Sequence, residues 1–292
     1  MDEALQPINV QSAKQKMKSY SGNPLSLLLA ALVGLSALIT VLTLVFIIGY
    51  ILIKGIPNLS LDLFQLEYNS ENVSMFPSII NTICMTVLSL LIAGPLGILA
   101  AVYLVEYAKK GNKLVSVIRI TAETLTGIPS IVYGLFGMLF FVTTLKWGFS
   151  MLAGAFTLAI MVLPVIMRTT EEALLSVPDM YREASFGLGA GKLRTIFVVI
   201  LPSAVPGILS GVILSIGRIV GETAALMYTA GTVAELPSSV MSSTRTLSVH
   251  MYALSNEGLY INQAYATAVV LLLIVLFINW VSGRIARKIK KG

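Results

Sequence analysis

Residues 168–194 read RTTEEALLSVPDMYREASFGLGAGKLR, a charged stretch that separates two long apolar runs of the chain. Within it, Pro178 suits the first position of a helix, and Asp179 favours the positive end of the helix dipole. Gly189 is typical of a residue that ends a helix and starts a turn. The stretch therefore predicts a short helix from about Pro178 to Leu188, in a loop that joins two membrane-spanning helices.

The composition of the whole chain requires a lipid bilayer as solvent. The 292 residues are 56% hydrophobic and only 12% charged, and the mean hydropathy is +0.87. An ordinary soluble domain carries about 25% charged residues, so a water-soluble globule of this composition would lack the polar surface to cover it. One cysteine and little charge exclude a disulfide framework, a coiled coil and a disordered chain. An all-α, polytopic membrane protein is predicted.

Six stretches without a charged residue are long enough to cross a bilayer, which takes about 20 mostly apolar residues. A β-barrel would instead need segments of about ten residues that alternate in polarity. We therefore predict six transmembrane helices. The six stretches are Ser19–Ile53, Asn72–Val105, Thr124–Leu145, Trp147–Met167, Thr195–Gly217 and Gly258–Gly283.

The basic residues predict the orientation of these helices. Most of the 20 Lys and Arg residues fall in segments that share one side of the membrane, and such segments are cytoplasmic. Both termini are then cytoplasmic, with a tail over 1–26, a transmembrane domain over 27–285 and a basic tail over 286–292. The loop of about 170–195 lies inside the cell, and a longer loop of about 223–264 lies outside. The net charge of +6 follows from this bias, and no nucleic-acid partner is needed to explain it.

The glycine-rich end of the charged stretch, Gly187–Lys192, resembles a nucleotide-binding loop only superficially. A Walker A loop requires a glycine where Phe186 stands and a Ser or Thr where Leu193 stands. We therefore predict no catalytic site, cofactor or metal on this chain. If ATP powers its activity, ATP and magnesium bind to a separate partner chain.

The second half of the charged stretch carries a pattern that reads Glu183-Ala184-Ser185, then Gly189, then Val199-Ile200-Leu201-Pro202. It resembles the EAA loop of the permease subunits of ABC importers, which has Ala and Ile where Ser185 and Val199 stand here. The resemblance implies the type I ABC importer permease (MetI-like) architecture and a transport subunit, not an enzyme. It also implies that the short helix contacts an ATPase subunit through Glu183, Ala184, Ser185, Gly189 and Pro202.

Two charged residues stand at the end of the fifth apolar run. Inserting an ionisable group near the bilayer centre is unfavourable by about 2.5 to 3.5 kcal/mol of free energy. Arg218 and Glu222 are four residues apart and share one face of a continuous helix. They could form a structural pair at the outer end of the helix. Alternatively, Arg218 binds an anion in a translocation path and Glu222 holds its guanidinium, whose planar fork matches phosphate or carboxylate oxygens.

Three segments together, 123–137, 168–172 and 217–223, resemble the phosphate ABC importer permeases, and most of all the PstA-type subunit. The resemblance covers about residues 75–285 and implies inward transport of inorganic phosphate. It implies a heterodimer with a second homologous permease subunit, a dimeric ATPase, and an extracytoplasmic phosphate-binding protein, in the cytoplasmic (inner) membrane of a bacterium or archaeon. The implied substrate path contains Arg218, Glu222 and Thr223, with Arg168, Glu123 and Thr124 as secondary candidates.

Other functions stay open from the residues alone. Arg168 falls at the cytoplasmic end of its predicted helix, so it could equally be a positive-inside anchor. One arginine binds any oxyanion, so sulfate, molybdate or phosphonate are alternative substrates. A channel or an ion-driven carrier would need no ATPase, and the EAA-like loop argues against it. For a membrane enzyme, no nucleophile and base stand together in sequence, and we expect the only histidine, His250, to be polar surface in the outer loop.

Overall fold

The computed structural model of the chain describes residues 24–109 and 111–289, with residues 285–289 described as backbone only. Most of the predicted N-terminal tail and the end of the predicted C-terminal tail lie outside these residues. The chain divides into two compact units, one up to Ile53 and the other from Lys54 onward. In the first unit, the described residues form a single apolar helix, α1 (Pro24–Gly55), which ends just past the boundary.

The second unit is helical throughout its regular structure, as far as the structure describes it. Two short 3₁₀ helices, Ile56–Asn58 and Leu61–Phe64, follow α1. The other helices are α2 (Phe76–Tyr107), α3 (Lys113–Thr126), α4 (Ser130–Thr144), α5 (Met151–Leu175), α6 (Asp179–Gly187), α7 (Lys192–Val220), α8 (Ala224–Met227), α9 (Leu247–Glu257) and α10 (Ile261–Ile289).

Five of the described helices, α1, α2, α5, α7 and α10, are long and apolar enough to cross a membrane. The predicted third span is different, because it consists of two helices, α3 and α4, that meet at an angle of 103°. The break falls at Pro129, which lacks an N–H and disfavours a helical conformation at Ile128. The pair counts as the sixth span if both helices belong to one crossing, and the predicted all-α class is confirmed.

The helices of the second unit run between two ends, which we name the α6 end and the α9 end. At the α6 end, α2 and α5 finish and α7 begins; at the α9 end, α2 and α5 begin and α7 finishes. Small residues let α7 and α5 approach closely, since a side chain at Gly211 would collide with Thr169 and one at Gly207 with Ala173. This close packing aligns one face of α5 with one face of α7 along their length.

Candidate functional site

A cavity of about 810 Å³ lies along the groove between α5 and α7. It brings Arg168 and Arg218, both predicted from the sequence as path residues, into one site on neighbouring helices. Hydroxyl and amide groups from four helices share its lining. The lining residues are Thr126, Val165, Arg168, Thr169, Glu172, Ser210, Ile213, Leu214, Gly217, Arg218 and Asn279.

Arg218 lies near the α9 end of this cavity, roughly 39 Å along α7 at 1.5 Å per residue. Its side chain is half-buried. In the part of the chain that the structure describes, it forms neither an ion pair nor a hydrogen bond. A guanidinium has five N–H donors and no acceptor, so all five are available to a ligand that enters the cavity.

The predicted pairing of Arg218 with Glu222 is wrong. α7 ends at Val220, so the four-residue spacing no longer places the two side chains on one helical face. Glu222 is buried, and its Oε1 accepts a hydrogen bond of 3.0 Å from the backbone N–H of Ala225, which caps α8. Thr223 precedes α8, and its carbonyl accepts from the N–H of Met227. Neither Glu222 nor Thr223 lines the cavity.

Arg168 is surrounded by carboxylates at the α6 end of the cavity. It contacts Glu172 at 3.3 Å and Glu123 at 3.5 Å, and its side chain is 56% exposed. The structure therefore brings together Glu123 and Arg168, two of the secondary candidates. The third, Thr124, donates to the carbonyl of Ile120 and lies outside the cavity lining. Glu172 was missed as a site residue, although its four-residue spacing from Arg168 signals the pair.

The short helix α6 agrees with its predicted position to within one residue at each end. Glu183 and Ala184 are exposed, whereas Ser185 is buried and its Oγ lies 2.8 Å from Oγ1 of Thr195 at the start of α7. Gly189 follows the helix with a φ of +82°, a left-handed conformation that favours glycine. Thus α6 is held to α7 by one buried hydroxyl pair and leaves its other face uncovered.

The uncovered face of α6 carries large apolar side chains. Met180, Tyr181, Phe186 and Leu188 are all exposed, and Leu188 is 90% exposed. Several exposed large apolar side chains on one short helix are typical of a contact site for another chain. Pro202 is separate from this face, because it lies in α7 directly after a wide π-helical turn, Thr195–Ile200. Lacking an N–H, it removes a regular helical hydrogen bond there and so shapes α7 instead.

The residue that fixes α6 to the bundle is Arg182, which the sequence analysis missed. Its Nη2 and Nε donate to Oε1 of Glu106 at 2.7 and 3.1 Å, and Glu106 belongs to the last turn of α2. The same guanidinium donates to the carbonyls of Leu174 and Val177 at the end of α5. The side chains of Arg182 and Glu106 are only 16% and 10% exposed. Since 76 residues separate the pair, no local spacing could have indicated it.

His250 was predicted as polar surface, and this prediction is wrong. It lies in α9 and is fully buried. The ring of Tyr68 packs edge-on against it with centroids 6.1 Å apart. Burial, and next the charge of Arg245, lower the pKa of His250 to about 3. Arg245 is only 5% exposed, and its guanidinium lies over the Tyr68 ring at 4.7 Å. No sequence pattern linked these residues, because they come together only through long-range packing.

Comparison with known proteins relates this architecture to membrane transport. Residues 93–291 match the family described as binding-protein-dependent transport system inner membrane component. The chain is 35% identical to the "Probable ABC transporter permease protein YqgI" of Bacillus subtilis, with 88% of this chain and 94% of that protein covered. It is 38% identical to the phosphate transport system permease protein PstA of Pasteurella multocida, with 77% and 81% covered.

Among solved structures, the fold is similar to a chain of a bacterial alginate ABC transporter, crystallised with an alginate-bound periplasmic protein. The TM-score is 0.64 at 21% sequence identity, with 89% of this chain and 95% of that chain covered. This likeness confirms the predicted fold of an ABC importer permease, and the sequence relatives confirm the predicted resemblance to PstA-type permeases. The chain belongs to the family of binding-protein-dependent transport system inner membrane components, and it is a multi-pass membrane protein of that family.

Proposed function

We propose that this chain is the permease subunit of an ATP-driven phosphate importer and forms half of the phosphate path. The observation that carries the proposal is Arg218, an arginine without a carboxylate partner in the described residues, facing a cavity inside a membrane-spanning bundle. An unpaired guanidinium in such a place favours an oxyanion ligand, because its donors match the oxygens. The similarity to PstA, which is named a phosphate transport system permease protein, supports phosphate as that oxyanion.

The two arginines of the cavity have different strengths as phosphate ligands. Arg218 offers its full charge at the α9 end, whereas Glu123 and Glu172 partly neutralise Arg168 at the α6 end. Transport requires that phosphate binding be favourable enough for phosphate to enter the path and weak enough for phosphate to leave it. We therefore assign entry to Arg218 and release to Arg168, with Thr169 and Ser210 of the cavity lining as hydrogen-bonding groups between them.

The orientation follows from the charges, because basic residues collect on the cytoplasmic side. The α6 end then faces the cytoplasm, and both termini are cytoplasmic. The apolar face of α6 contacts an ATPase dimer, which binds ATP and magnesium. A second, homologous permease subunit covers the open side of the cavity between α5 and α7. A phosphate-binding protein docks at the α9 end, outside the cell.

Coupling depends on the attachment of α6 to the bundle. Arg182 joins α6 to the end of α2 and to the end of α5, and Ser185 joins it to the start of α7. A displacement of α6 by the ATPase therefore moves three spans together as rigid elements. Because α5 and α7 line the cavity, the same movement opens or closes the phosphate path.

The proposal is tested by phosphate uptake into vesicles that contain this chain, its partner subunits and trapped ATP. Radiolabelled phosphate should accumulate only when ATP is present, and Glu183→Arg should abolish accumulation because it places a charge of opposite sign on the α6 contact face. The control is Lys113→Glu, a charge reversal at an exposed position at the start of α3 and outside α6, which should keep the wild-type rate.

Competition in the same vesicles separates phosphate from other substrates. An excess of sulfate, molybdate or phosphonate should leave phosphate uptake unchanged, whereas strong inhibition by one of them would assign the path to that anion. Uptake that proceeds without ATP, or that Glu183→Arg does not change, would contradict the proposal and favour a carrier or a channel.

A further inference from the structure

A second group of polar side chains is buried at the α9 end, outside the cavity between α5 and α7. Arg245 is 5% exposed, and Ser78, Asn81 and His250 are fully buried. Five atoms of Arg245, Asn81, Ser78 and Thr244 have no hydrogen-bond partner among the described residues. They are Arg245 Nε and Nη2, Asn81 Oδ1, Ser78 Oγ and Thr244 Oγ1. Buried polar atoms are nearly always paired, so this concentration indicates a bound partner, either water or a ligand.

These residues form one cluster because α2 and the segment before α9 pack together. The side-chain amide of Asn81 donates to the backbone carbonyl of Arg245 at 3.3 Å. One residue further along α2, Oγ1 of Thr82 accepts from the N–H of Leu247 at 2.8 Å. Ser78 precedes Asn81 by about one turn of the same helix. Arg245 and His250 both contact the ring of Tyr68, which joins them into the cluster.

The cluster has a positive charge that the described residues do not neutralise. Arg245 forms no ion pair with any described carboxylate. The carboxylate of Glu222 is occupied by the N–H of Ala225, and Glu67 and Glu235 are exposed. His250 is neutral at pH 7, since its pKa is about 3. A buried, unpaired charge is strongly unfavourable, so an anion that reaches Arg245 is held tightly.

The unpaired atoms also restrict the chemistry of the anion. The guanidinium nitrogens of Arg245 need acceptors, whereas Oδ1 of Asn81 needs a donor. Fully ionised sulfate only accepts hydrogen bonds, but a hydrogen phosphate ion accepts through its oxygens and donates through its O–H. We infer that Arg245 and Asn81 form a second binding site, for an oxyanion that retains a proton. Its identification with phosphate rests on the proposed function.

The cluster is connected to solvent through Tyr68. This residue lines a separate cavity of about 290 Å³, together with Leu66, Glu67, Pro77, Glu235 and Leu236. The ring of Tyr68 also contacts Arg245, so this side chain adjoins both the cavity and the cluster. In the proposed orientation this site faces the outside of the cell, where phosphate arrives before it reaches Arg218.

Electron cryomicroscopy of the complete transporter complex tests the site directly, in phosphate-containing and in phosphate-free buffer. The expected result is a tetrahedral density beside Arg245 Nε and Nη2 and Asn81 Oδ1 that is present only with phosphate. A spherical density that is the same in both buffers would identify water and overturn the inference. Because the wild-type complex is imaged, the result does not depend on the folding of a variant.

Binding of radiolabelled phosphate gives a second test, in an Arg218→Gln background that removes the ligand of the first cavity. Adding Arg245→Gln should weaken the remaining binding by about tenfold or more, as expected for the loss of a charge-assisted contact. The matched control is Lys146→Gln, which removes an exposed positive charge after α4 and should change nothing. Equal binding with and without Arg245→Gln would overturn the inference.

The two proposals fail in different ways. If vesicles take up no phosphate but arsenate, which also retains a proton, binds at Arg245, the proposed function fails and the site stands. If phosphate uptake is normal, but no phosphate density lies beside Arg245 and phosphate binding does not depend on Arg245, the second site is refuted and the proposed function stands. Sulfate that binds at Arg245 as tightly as phosphate would overturn the role of Asn81 in selecting a protonated anion.

Discussion

The arginines at the two ends of the second unit differ in whether a carboxylate accompanies them. At the α6 end, three arginines have carboxylate partners: Arg119 with Glu171, Arg168 with Glu123 and Glu172, and Arg182 with Glu106. The exposed Arg194 at this end forms no ion pair among the described residues. At the α9 end, Arg218 and Arg245 form no ion pair within the described ranges. The same side chain therefore fixes helices at one end and stays available to a ligand at the other.

This difference has a physical basis in the cost of buried charge. A paired guanidinium has most of its charge compensated and its donors occupied, so it contributes rigidity and attracts anions weakly. An unpaired guanidinium in a poorly solvated place is stabilised only when an anion arrives. In the proposed orientation, an anion that enters from outside meets the uncompensated arginines first and the compensated Arg168 last.

The most buried pair of the α6 end should show the largest change in stability. Glu106→Ala leaves the guanidinium of Arg182 buried without its carboxylate, and we expect the free energy of unfolding to fall by about 3 to 5 kcal/mol. Thermal unfolding of the assembled complex measures the change. Asp179→Asn is the control, since Asp179 contacts the same guanidinium but is 86% exposed. Equal losses in the two variants would contradict the anchoring role of Glu106.

The α9 end should be sensitive to acid through His250. Its pKa is about 3 in the folded protein and 6.5 when exposed, so between these values the unfolded chain binds more protons. The stabilising contribution is therefore complete above pH 6.5 and is lost as the pH falls toward 3. From pH 7.5 to pH 5.5 we expect a loss of about 1 to 2 kcal/mol. Thermal unfolding at the two pH values should show this loss, and His250→Gln should remove it. The same pH dependence in that variant would refute the assignment.

The exposed pair of the α6 end should show the smallest change. The side chains of Arg168 and Glu172 are 56% and 66% exposed, so water screens their attraction. Glu172→Gln should change the free energy of unfolding by less than about 0.5 kcal/mol, as other exposed pairs do. Thermal unfolding checks this value too. A loss close to that of Glu106→Ala would mean that burial does not determine the strength of these pairs.

The spans were predictable because a bilayer demands long apolar stretches, and charge interrupts them. Their ends were less predictable, since α5 continues eight residues past its predicted end at Met167 and includes Arg168 and Glu172. These charges are tolerated in the helix because they pair with each other and with Glu123. The bend between α3 and α4 is encoded in Pro129. A count of apolar residues does not predict this bend, because it does not consider the backbone conformation.

The candidate site was predictable in its residues and less so in its contacts. Arg218 and Arg168 were found because arginine is rare beside a long apolar run, and the structure places both in one cavity. The pairing of Arg218 with Glu222 failed because it assumed a helix that in fact ends at Val220. Arg182 with Glu106, and Arg245 with Tyr68, depend on contacts between distant segments, which spacing along one chain does not encode.

The central claim is that Arg218, which is unpaired, is the main phosphate ligand of the cavity and that Arg168, which is paired, is not. ATP-dependent phosphate uptake of Arg218→Gln and Arg168→Gln, measured in the same vesicle preparation with ATPase activity recorded, tests it most directly. We predict that Arg218→Gln lowers uptake by about 100-fold and Arg168→Gln by less than about tenfold, as expected for the loss of a full and of a compensated charged contact. Wild-type uptake by Arg218→Gln, with its assembly and ATPase activity intact, would contradict the account.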